Sequence, residues 1–401
     1  MSTLFPGSQV VLYAMKETTY GTPQKATPTD AFLTLSESFT PAQERENRDD
    51  RTESSDFLEQ VTGRKSADWE ITKLLLPSGN VTIQPDDTHL LEAAFGHLSF
   101  GTTAIEYLQA TAHTTSLTIR RGVRGGGASQ ASFQEHVMGA ICNKVEFSWG
   151  NQGHNNQAQV VYSGMAKEWG FTGNSTYNPD ADSTIATDAN YVTMPTNGEY
   201  NFTRGSQLYF NTDVVETAGG SGIMVDSVNL TTNQVIFTET LDNTHSGASA
   251  MIPYNPTGTT TGSPIHARMG MLSLDGSAVA VKHLGGRITF EDNRGLLNEE
   301  VGTDSASEVL RQGKRNVTFS LDMYMKKLNT NILLGGMYNN TASDIRVNIG
   351  QNTGATVTFV MKKAKWDMVG PDIADNDMAR ITLTGRAYGT NGNDSLLMRI
   401  R

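Results

Sequence analysis

The stretch AFLTLSESFT at residues 31–40, followed by GRK at 63–65 and ADWEITKLLL at 67–76, is answered later by GRITF at 286–290, GKR at 313–315 and VTFSLDMYM at 317–325. In each set an alternating run leads into a charged stretch and then into a second alternating run. Alternation of period two marks a strand with one buried face. The order of segments continues downstream: Thr88 to Gly96 matches Thr330 to Met337, Ile141 to Trp149 matches Thr356 to Trp366, and Gln157 to Ala166 matches Met378 to Tyr388. A duplicated unit that packs beside itself is a direct way to build a ring or an array, so an assembly role is expected ahead of an active site.

The expected organisation is mainly β, with two tandem sandwich or barrel units, each carrying one short helix. The first unit spans 1–170 and the second 266–401. Strand runs recur at Val10 to Tyr13, Leu117 to Arg120, Lys144 to Trp149, Val317 to Tyr324, Thr356 to Met361 and Arg380 to Thr384. The clearest helix starts near Asp86 and Asp87, runs through Leu90, Leu91, Ala94 and Phe95, and stops at Gly96. Between the units, residues 171–265 are rich in Asn, Thr, Gly and Ser and are read as an inserted small β domain on the outer surface. Strands are expected there at Tyr200 to Phe210, Gly222 to Val228 and Gln234 to Glu239, with a hairpin over Val228 to Val235.

With 401 residues the chain is long enough for two or three cores. A formal charge of −11 argues against a tight general grip on phosphate backbones. Cys142 is the only cysteine, which excludes an internal disulfide and reads as a small buried hydrophobe in a reducing compartment. No apolar run reaches the roughly 18 to 20 residues of a membrane span, and Met1 to Phe5 lacks the pattern of a secretory signal, so a soluble protein kept in a cytoplasm is expected.

Two charged stretches stand at the same place in the two units and are read as long arm loops, 41–62 and 291–312. The first holds Glu44, Arg45, Glu46, Arg48, Asp49, Asp50, Arg51, Glu53, Asp56 and Glu59; the second holds Glu291, Asp292, Arg294, Glu299, Glu300, Asp304, Glu308 and Arg311. Loops longer than about 12–15 residues tend to be functional or disordered. Two solvated loops are the plainer reading, and two arms ordered by a neighbouring subunit the sharper one. Arg120, Arg121 and Arg124 form a compact basic cluster that could meet an acidic arm between subunits.

Chemistry is sparse. The eight histidines make no metal-binding spacing, so no metal or cofactor is expected. Gly122 to Gly127 lacks the order of a phosphate loop and reads as a tip. Asp372, Asp375 and Asp377, like Asp180 and Asp182, lack the glycine and terminal glutamate of a calcium loop. No nucleophile elbow is present, and catalysis is not expected.

The segments Lys16-Glu17-Thr18-Thr19-Tyr20-Gly21-Thr22-Pro23, Leu274-Asp275-Gly276-Ser277, Gly313-Lys314-Arg315-Asn316-Val317-Thr318 and Arg380-Ile381-Thr382-Leu383 resemble, in the same order, the tail tube (major tail) proteins of long-tailed, non-contractile bacteriophages. The resemblance implies a tail-tube-type sandwich with one helix, whose sheets join those of neighbouring subunits into a continuous barrel. Rings stack into a tube, and a long loop reaches the adjacent ring. Single-sandwich members form six-fold rings, so two sandwiches per chain imply a trimer with pseudo-six-fold symmetry, the alternative being a hexamer of twelve sandwiches with a wider bore. The implied partners are further copies of itself, the tape measure protein and double-stranded genomic DNA in the lumen, held weakly and without specificity, together with the tail terminator and baseplate or distal tail proteins. The implied place is the virion tail, assembled in the bacterial host cytoplasm. Two other readings stay open. A distal-tail, baseplate or decoration protein would use the inserted module to grip a receptor or carbohydrate through Tyr200, Phe202, Tyr209 and Phe210. A secreted β-rich hydrolase would need a signal peptide and a deep acidic pocket.

Overall fold

The computed structural model describes residues 10–47, 60–124, 131–173, 184–186, 188–210, 222–246, 249–260, 262–265, 270–274, 277–278, 283–297, 301, 304–324, 335–350, 354–373 and 379–401. The protein is mainly β. Its first half contains β1 (Val10–Lys16), β2 (Ala31–Phe32), β3 (Ser36–Asn47), β4 (Gln60–Leu74), α1 (Thr88–Phe95), β5 (Gly96–Phe100), β6 (Ile105–Gln109), β7 (Leu117–Arg124), β8 (Ala131–Gly150), β9 (Gln159–Ala166) and β10 (Glu168–Thr172). Antiparallel pairings β3–β4, β4–β9 and β9–β8 build one sheet. The pairings β8–β10, β8–β7, β7–β1 and β1–β2 build a second.

Strand β8 belongs to both sheets. Residues 134–138 pair with β10, whereas residues 141–148 pair with β9. The direction changes at Gly139, whose φ of +61° is a conformation that glycine adopts without a Cβ penalty. Its N–H donates to Glu17 Oε1 at 2.8 Å. The same carboxylate accepts from Gly21 N, Ser116 Oγ and Thr118 Oγ1 at 2.7–2.9 Å. The segment from Lys16 to Pro23 therefore has a local task, which is to tie the chain after β1 to the bend of β8.

After β10 the chain forms β11 (Thr184–Ile185), β12 (Tyr191–Thr193), β13 (Gln207–Phe210), β14 (Ile223–Asn229), β15 (Gln234–Phe237), β16 (His245–Ser246) and β17 (Met251–Pro253). Five of these make a sheet in the order β12-β15-β14-β13-β17, and β11 pairs with β16. Val192, Phe202, Leu208, Phe210, Val225, Val235 and Phe237 fill a core separate from the main one. The strand expected over Tyr200 to Phe210 begins only at Gln207. A 3-10 turn occupies Glu199–Asn201 and Gly205 takes a φ of +85°, so the chain cannot stay extended there.

The last part contains β18 (Gly270–Leu274), β19 (Ser277–Ala278), β20 (His283–Glu291), β21 (Arg294–Leu297), β22 (Glu308–Arg311), β23 (Asn316–Tyr324), a helical stretch at 335–339, β24 (Ser343–Ile349), β25 (Val357–Trp366), β26 (Arg380–Ala387) and β27 (Leu397–Ile400). Here β20–β23, β23–β26 and β26–β25 build one sheet. The pairings β25–β27, β25–β24, β24–β18 and β18–β19 build another. Like β8, strand β25 serves both.

Two junctions fuse the halves. In one layer Lys144 to Gly150 of β8 pair residue for residue with Glu291 to Gly285 of β20. In the other layer β27 pairs with β6, which also carries β5. One continuous core lies between the layers, with Phe95 of α1 stacked on Phe290 at 5.3 Å and Phe147 against Phe359 at 4.8 Å. Each such side chain stabilises by about 1.5–3 kcal/mol on burial. Among the described residues no sheet closes on itself, so the outcome is a layered arrangement and not a closed barrel.

The arms differ from the loops expected. The first leaves the body as a hairpin whose ladder runs to Asn47 opposite Gln60. Arg48, Asp49, Asp50, Arg51, Glu53, Asp56 and Glu59 lie outside the described residues. In the second arm β21 and β22 form a hairpin, with Glu299 and Glu300 outside the described residues.

Candidate assembly surfaces

The long sheet, β3-β4-β9-β8-β20-β23-β26-β25, turns alternate residues to the core and to a polar face that, among the described residues, is covered only where the second arm lies on Ile141 and Met165. One row across that face reads Ser38, Glu70, Ser163, Lys144, Glu291 and Asn316; the next reads Ser36, Thr72, Val161, Glu146, Thr289, Thr318 and Arg386. Further along lie Arg287 opposite Ser320, and Asp322 opposite Thr382. Acids and bases are mixed, and several offset each other: Arg287 Nε lies 3.3 Å from Glu146 Oε1, and Lys144 Nζ 3.8 Å from Glu146 Oε2. A shallow depression on this face lies between Thr40, Asp68, Glu70, Lys144, Glu291 and Asn293.

Among the described residues both ends of the sheet are open. Among the described residues β3 pairs only with β4. At the opposite end, the chain after β25 follows β26 through Asp367 N to Thr384 O and through a reciprocal pair between Asp372 and Arg380 at 2.8 and 2.9 Å. Met368 and Ile373 of that segment are 68% and 71% exposed, and nothing described covers them. An open strand edge invites pairing with another chain, so these edges are the surfaces to examine for assembly.

The second arm is anchored inside the chain. Asp292, read from sequence as a surface acid, is buried. Its Oδ1 accepts from Arg315 Nε at 2.6 Å and Arg311 Nη2 at 3.1 Å. Its Oδ2 meets His113 Nδ1 at 2.6 Å and Arg294 Nε at 3.0 Å. Arg294 is also buried and donates to the carbonyls of Ala93 and Cys142 at 2.9 and 2.7 Å. Asp292 continues the alternation of β20 after Phe290 and Glu291 and so falls on the core side, and the chain then turns at Asn293, whose φ is +51°. Burial alone would raise the Asp292 carboxyl; the hydrogen bonds from His113 and Arg315 and the charge of Arg294 outweigh it and hold it at about 2. Burial pushes His113 down to about 4, against the pull of Asp292, so its neutral ring donates from Nδ1.

The remaining arm residues are dispersed. Glu44 and Arg45 are exposed on β3, and nothing is described for the Glu46 side chain. Glu291 faces the polar sheet, where it accepts from Asn316 Nδ2 at 3.1 Å. Asp304 gives its carbonyl to Lys65 N at 2.9 Å, laying the second arm along β4 of the first half. Leu296, Ala306 and Val309 of this arm pack on Ile141 and Met165. Glu308 is exposed.

The basic cluster is divided by strand alternation. Arg120 is fully buried, donating to Gln207 Oε1 and, at 2.8 Å, to the Gly205 carbonyl. It is therefore not a surface cation, and it holds the 184–253 module on the face of β7 turned away from the core. Gln134, His136 and Thr172 reach the same module through Gln207, Arg204 and Ser206. Arg121 points the other way and pairs with Glu135 and Glu37; the Arg124 side chain is not among those described. Replacing Arg120 with Met is expected to weaken docking by about 2 kcal/mol, since hydrogen bonds to a charged group contribute about 1.5–3 kcal/mol each way. Amide exchange in β13 and β17 should accelerate on the order of thirty-fold while that of β4 and β23 is unchanged.

Lys73 and Asp87, both buried, make an ion pair at 3.1 Å that strand and helix patterns did not announce. Asp87 sits at the start of α1 yet makes no capping bond, because its Oδ2 accepts from Tyr162 at 2.7 Å. Phe202 and Phe210 lie in the core of the module and Tyr209 is buried beside Tyr254, so only Tyr200 of the four aromatics is exposed. Asp372 engages Arg380 in backbone pairing, while Asp375, Asp377, Asp180, Asp182 and Gly125 to Gly127 lie outside the described residues. Among the described residues no cluster of His, Cys, Asp and Glu could hold a metal ion, and no helix is long and apolar enough to cross a membrane. Cys142 is a buried free thiol.

Comparison with known families gives one clear result. The family model described as phage tail tube protein matches residues 7–387. No curated protein matches the chain.

Proposed function

The chain belongs to the phage tail tube protein family, and from that premise we propose that it is a tandem duplication of one wall unit, three copies of which close a ring. It is a structural protein of the virion tail. The observation that carries the proposal is the recurrence of seven pairings. Those of β1, β2, β3, β4, β7, β8, β9 and β10 return in the same order for β18, β19, β20, β23, β24, β25, β26 and β27. Each series gives four strands to the long sheet, hence eight per chain and twenty-four for three chains. At a strand spacing of about 4.8 Å and a tilt of about 40°, that wall has a diameter of about 48 Å. Six chains would double it.

In this reading the polar face of the long sheet lines the lumen, where interspersed acids and mutually paired charges leave little for a phosphate backbone to grip. The 184–253 module then lies on the outside, since it covers the layer farthest from that face. It occurs once per chain, so three lobes would mark the circumference. Stacked rings would hold a tape measure protein and conduct genomic DNA in the lumen, end against terminator and baseplate proteins, and assemble in the host cytoplasm.

Negative-stain micrographs of the purified protein test this. Tubes or stacked rings with three outer lobes in end view are expected. Six lobes would discard the trimer, and discrete particles without rings across protein concentrations would overturn the assembly reading.

A further inference from the structure

The junction between the halves of one chain supplies a residue-level template for the junction between chains. This template rests on the ring reading above and adds its register. In the first half Phe39, Trp69, Gly164 and Cys142 stand side by side across β3, β4, β9 and β8. In the second half Ile288, Phe319, Gly385 and Trp366 do so across β20, β23, β26 and β25. The two glycines fix the superposition. A Cβ on Gly164 would stand 1.8 Å from the Ile141 carbonyl oxygen, and one on Gly385 would stand 2.2 Å from that of Lys365. In both halves the struck carbonyl belongs to the residue just before the glycine's cross-strand partner.

Counting along the strands from these anchors, Arg287 of β20 takes the place of Ser38 of β3. Gln159 of β9 takes the place of Arg380, five residues before each glycine. Their partners Ser148 and Asp372 correspond in turn. Within the chain Ser148 stands opposite Arg287. We propose that β3 of one copy pairs antiparallel with the segment around residues 371–373 of a second copy, with Ser38 directly opposite Asp372 of the partner subunit.

The backbone on both sides is available for this. Because Asp372 turns its N–H and C=O to Arg380, strand alternation turns those of Ile373, and the Pro371 carbonyl, away from β26. Ile373 is largely exposed, and Ser38 lies on the exposed face of an edge strand. The Ser38 and Asp372 positions form a non-hydrogen-bonded pair, as Ser148 and Arg287 do, since Asn151 N bonds the Leu284 carbonyl in the same ladder. The occupant is a second copy because β3 stands where β20 stands, and β20 already pairs with the counterpart of this segment.

A disulfide reads the register. Non-hydrogen-bonded antiparallel pairs have Cα atoms about 4.5 Å apart, within the roughly 4.4–6.8 Å that a disulfide spans. Assembled protein carrying Ser38→Cys and Asp372→Cys should oxidise into covalent multimers, with a ladder ending at three chains. A slipped control, Ser36→Cys with Asp372→Cys, should cross-link at least ten-fold less. Native Cys142 does not compete, being buried with its thiol pushed up to about 12. Should the double variant fail to assemble, a mixture of the two single-cysteine proteins should give covalent dimers only. Tubes in micrographs with cross-linking absent, or efficient only in the slipped pair, would overturn the register and leave the tube reading standing. Absence of both rings and cross-links would overturn both.

Discussion

Replacing Asp292 with Ala should lower the unfolding free energy by about 3–5 kcal/mol, the range found when one member of a buried ion pair is removed. Arg294, 3% exposed, would keep its carbonyl acceptors but lose the anion that balances it. Asp292→Asn retains the volume and isolates the charge, and should recover less than half of the loss. The urea midpoint checks the magnitude, and loss of amide protection in β21 and β22 checks the location. Unchanged protection there would show that the hairpin does not depend on this anion.

The same cluster sets a pH dependence. His113 has a folded value of about 4, below its ordinary 6.5, so its contribution is complete above pH 6.5 and is lost as the pH falls toward 4. At 1.36 kcal/mol per unit this amounts to roughly 3 kcal/mol. Asp292, folded at about 2 against an ordinary 3.8, contributes above pH 4 and loses that contribution between pH 4 and 2. His136, held at about 3 first by burial and then by the charge of Arg120, adds to the upper step. Stability should therefore fall in two stages on acidification, and Asp292→Ala should lose the lower one.

The second large effect is expected at the paired glycines. Gly164→Ala places a methyl 1.8 Å from a backbone oxygen, and Gly385→Ala 2.2 Å from one. Neither oxygen can retreat without parting the ladder, so each substitution should cost more than about 3 kcal/mol, the upper end of overpacking. Gly370→Ala is the control. Nothing lies within 4 Å of its Cβ position, so a neutral change or a gain of about 0.4–1 kcal/mol is expected. Thermal unfolding of the three variants decides. Equal behaviour at 164 and 370 would remove the steric account on which the superposition of the halves depends.

Much of the architecture was legible because it depends on alternation. The run at 31–40 falls on β2 and β3 with a break between them, 286–290 on β20, 67–74 on β4 and 317–324 on β23, and the helix expected near Asp87 is α1. What escaped the sequence were polar groups whose surroundings come from distant segments. Thr118 and Arg120 alternate with core residues Leu117 and Ile119 and so read as solvent-facing; Thr118 is instead held by Glu17 and Gln24, and Arg120 by Gln207 and Gly205. Asp292 reads as one acid in a charged run because the residues around it are His113, Arg311 and Arg315, up to 179 positions away. Lys73 and Asp87 are hidden for the same reason. Local pattern reports which face of an element is apolar, and it does not report what is later laid on the other face.

The wide separation of β8 and β20 along the chain bears on how the protein folds. Lys144 and Glu291 are neighbours in the ladder, yet everything from β9 to β19 must be synthesised between them. Until β20 emerges, the ladder of β8 is a finished half with a bare rim, and such long-range contacts form slowly. In a crowded host a neighbouring polypeptide's β20 can reach that rim first, giving a domain-swapped pair that uses only native contacts. Yield at high expression should therefore be limited by entanglement between nascent chains more than by the stability of any finished one.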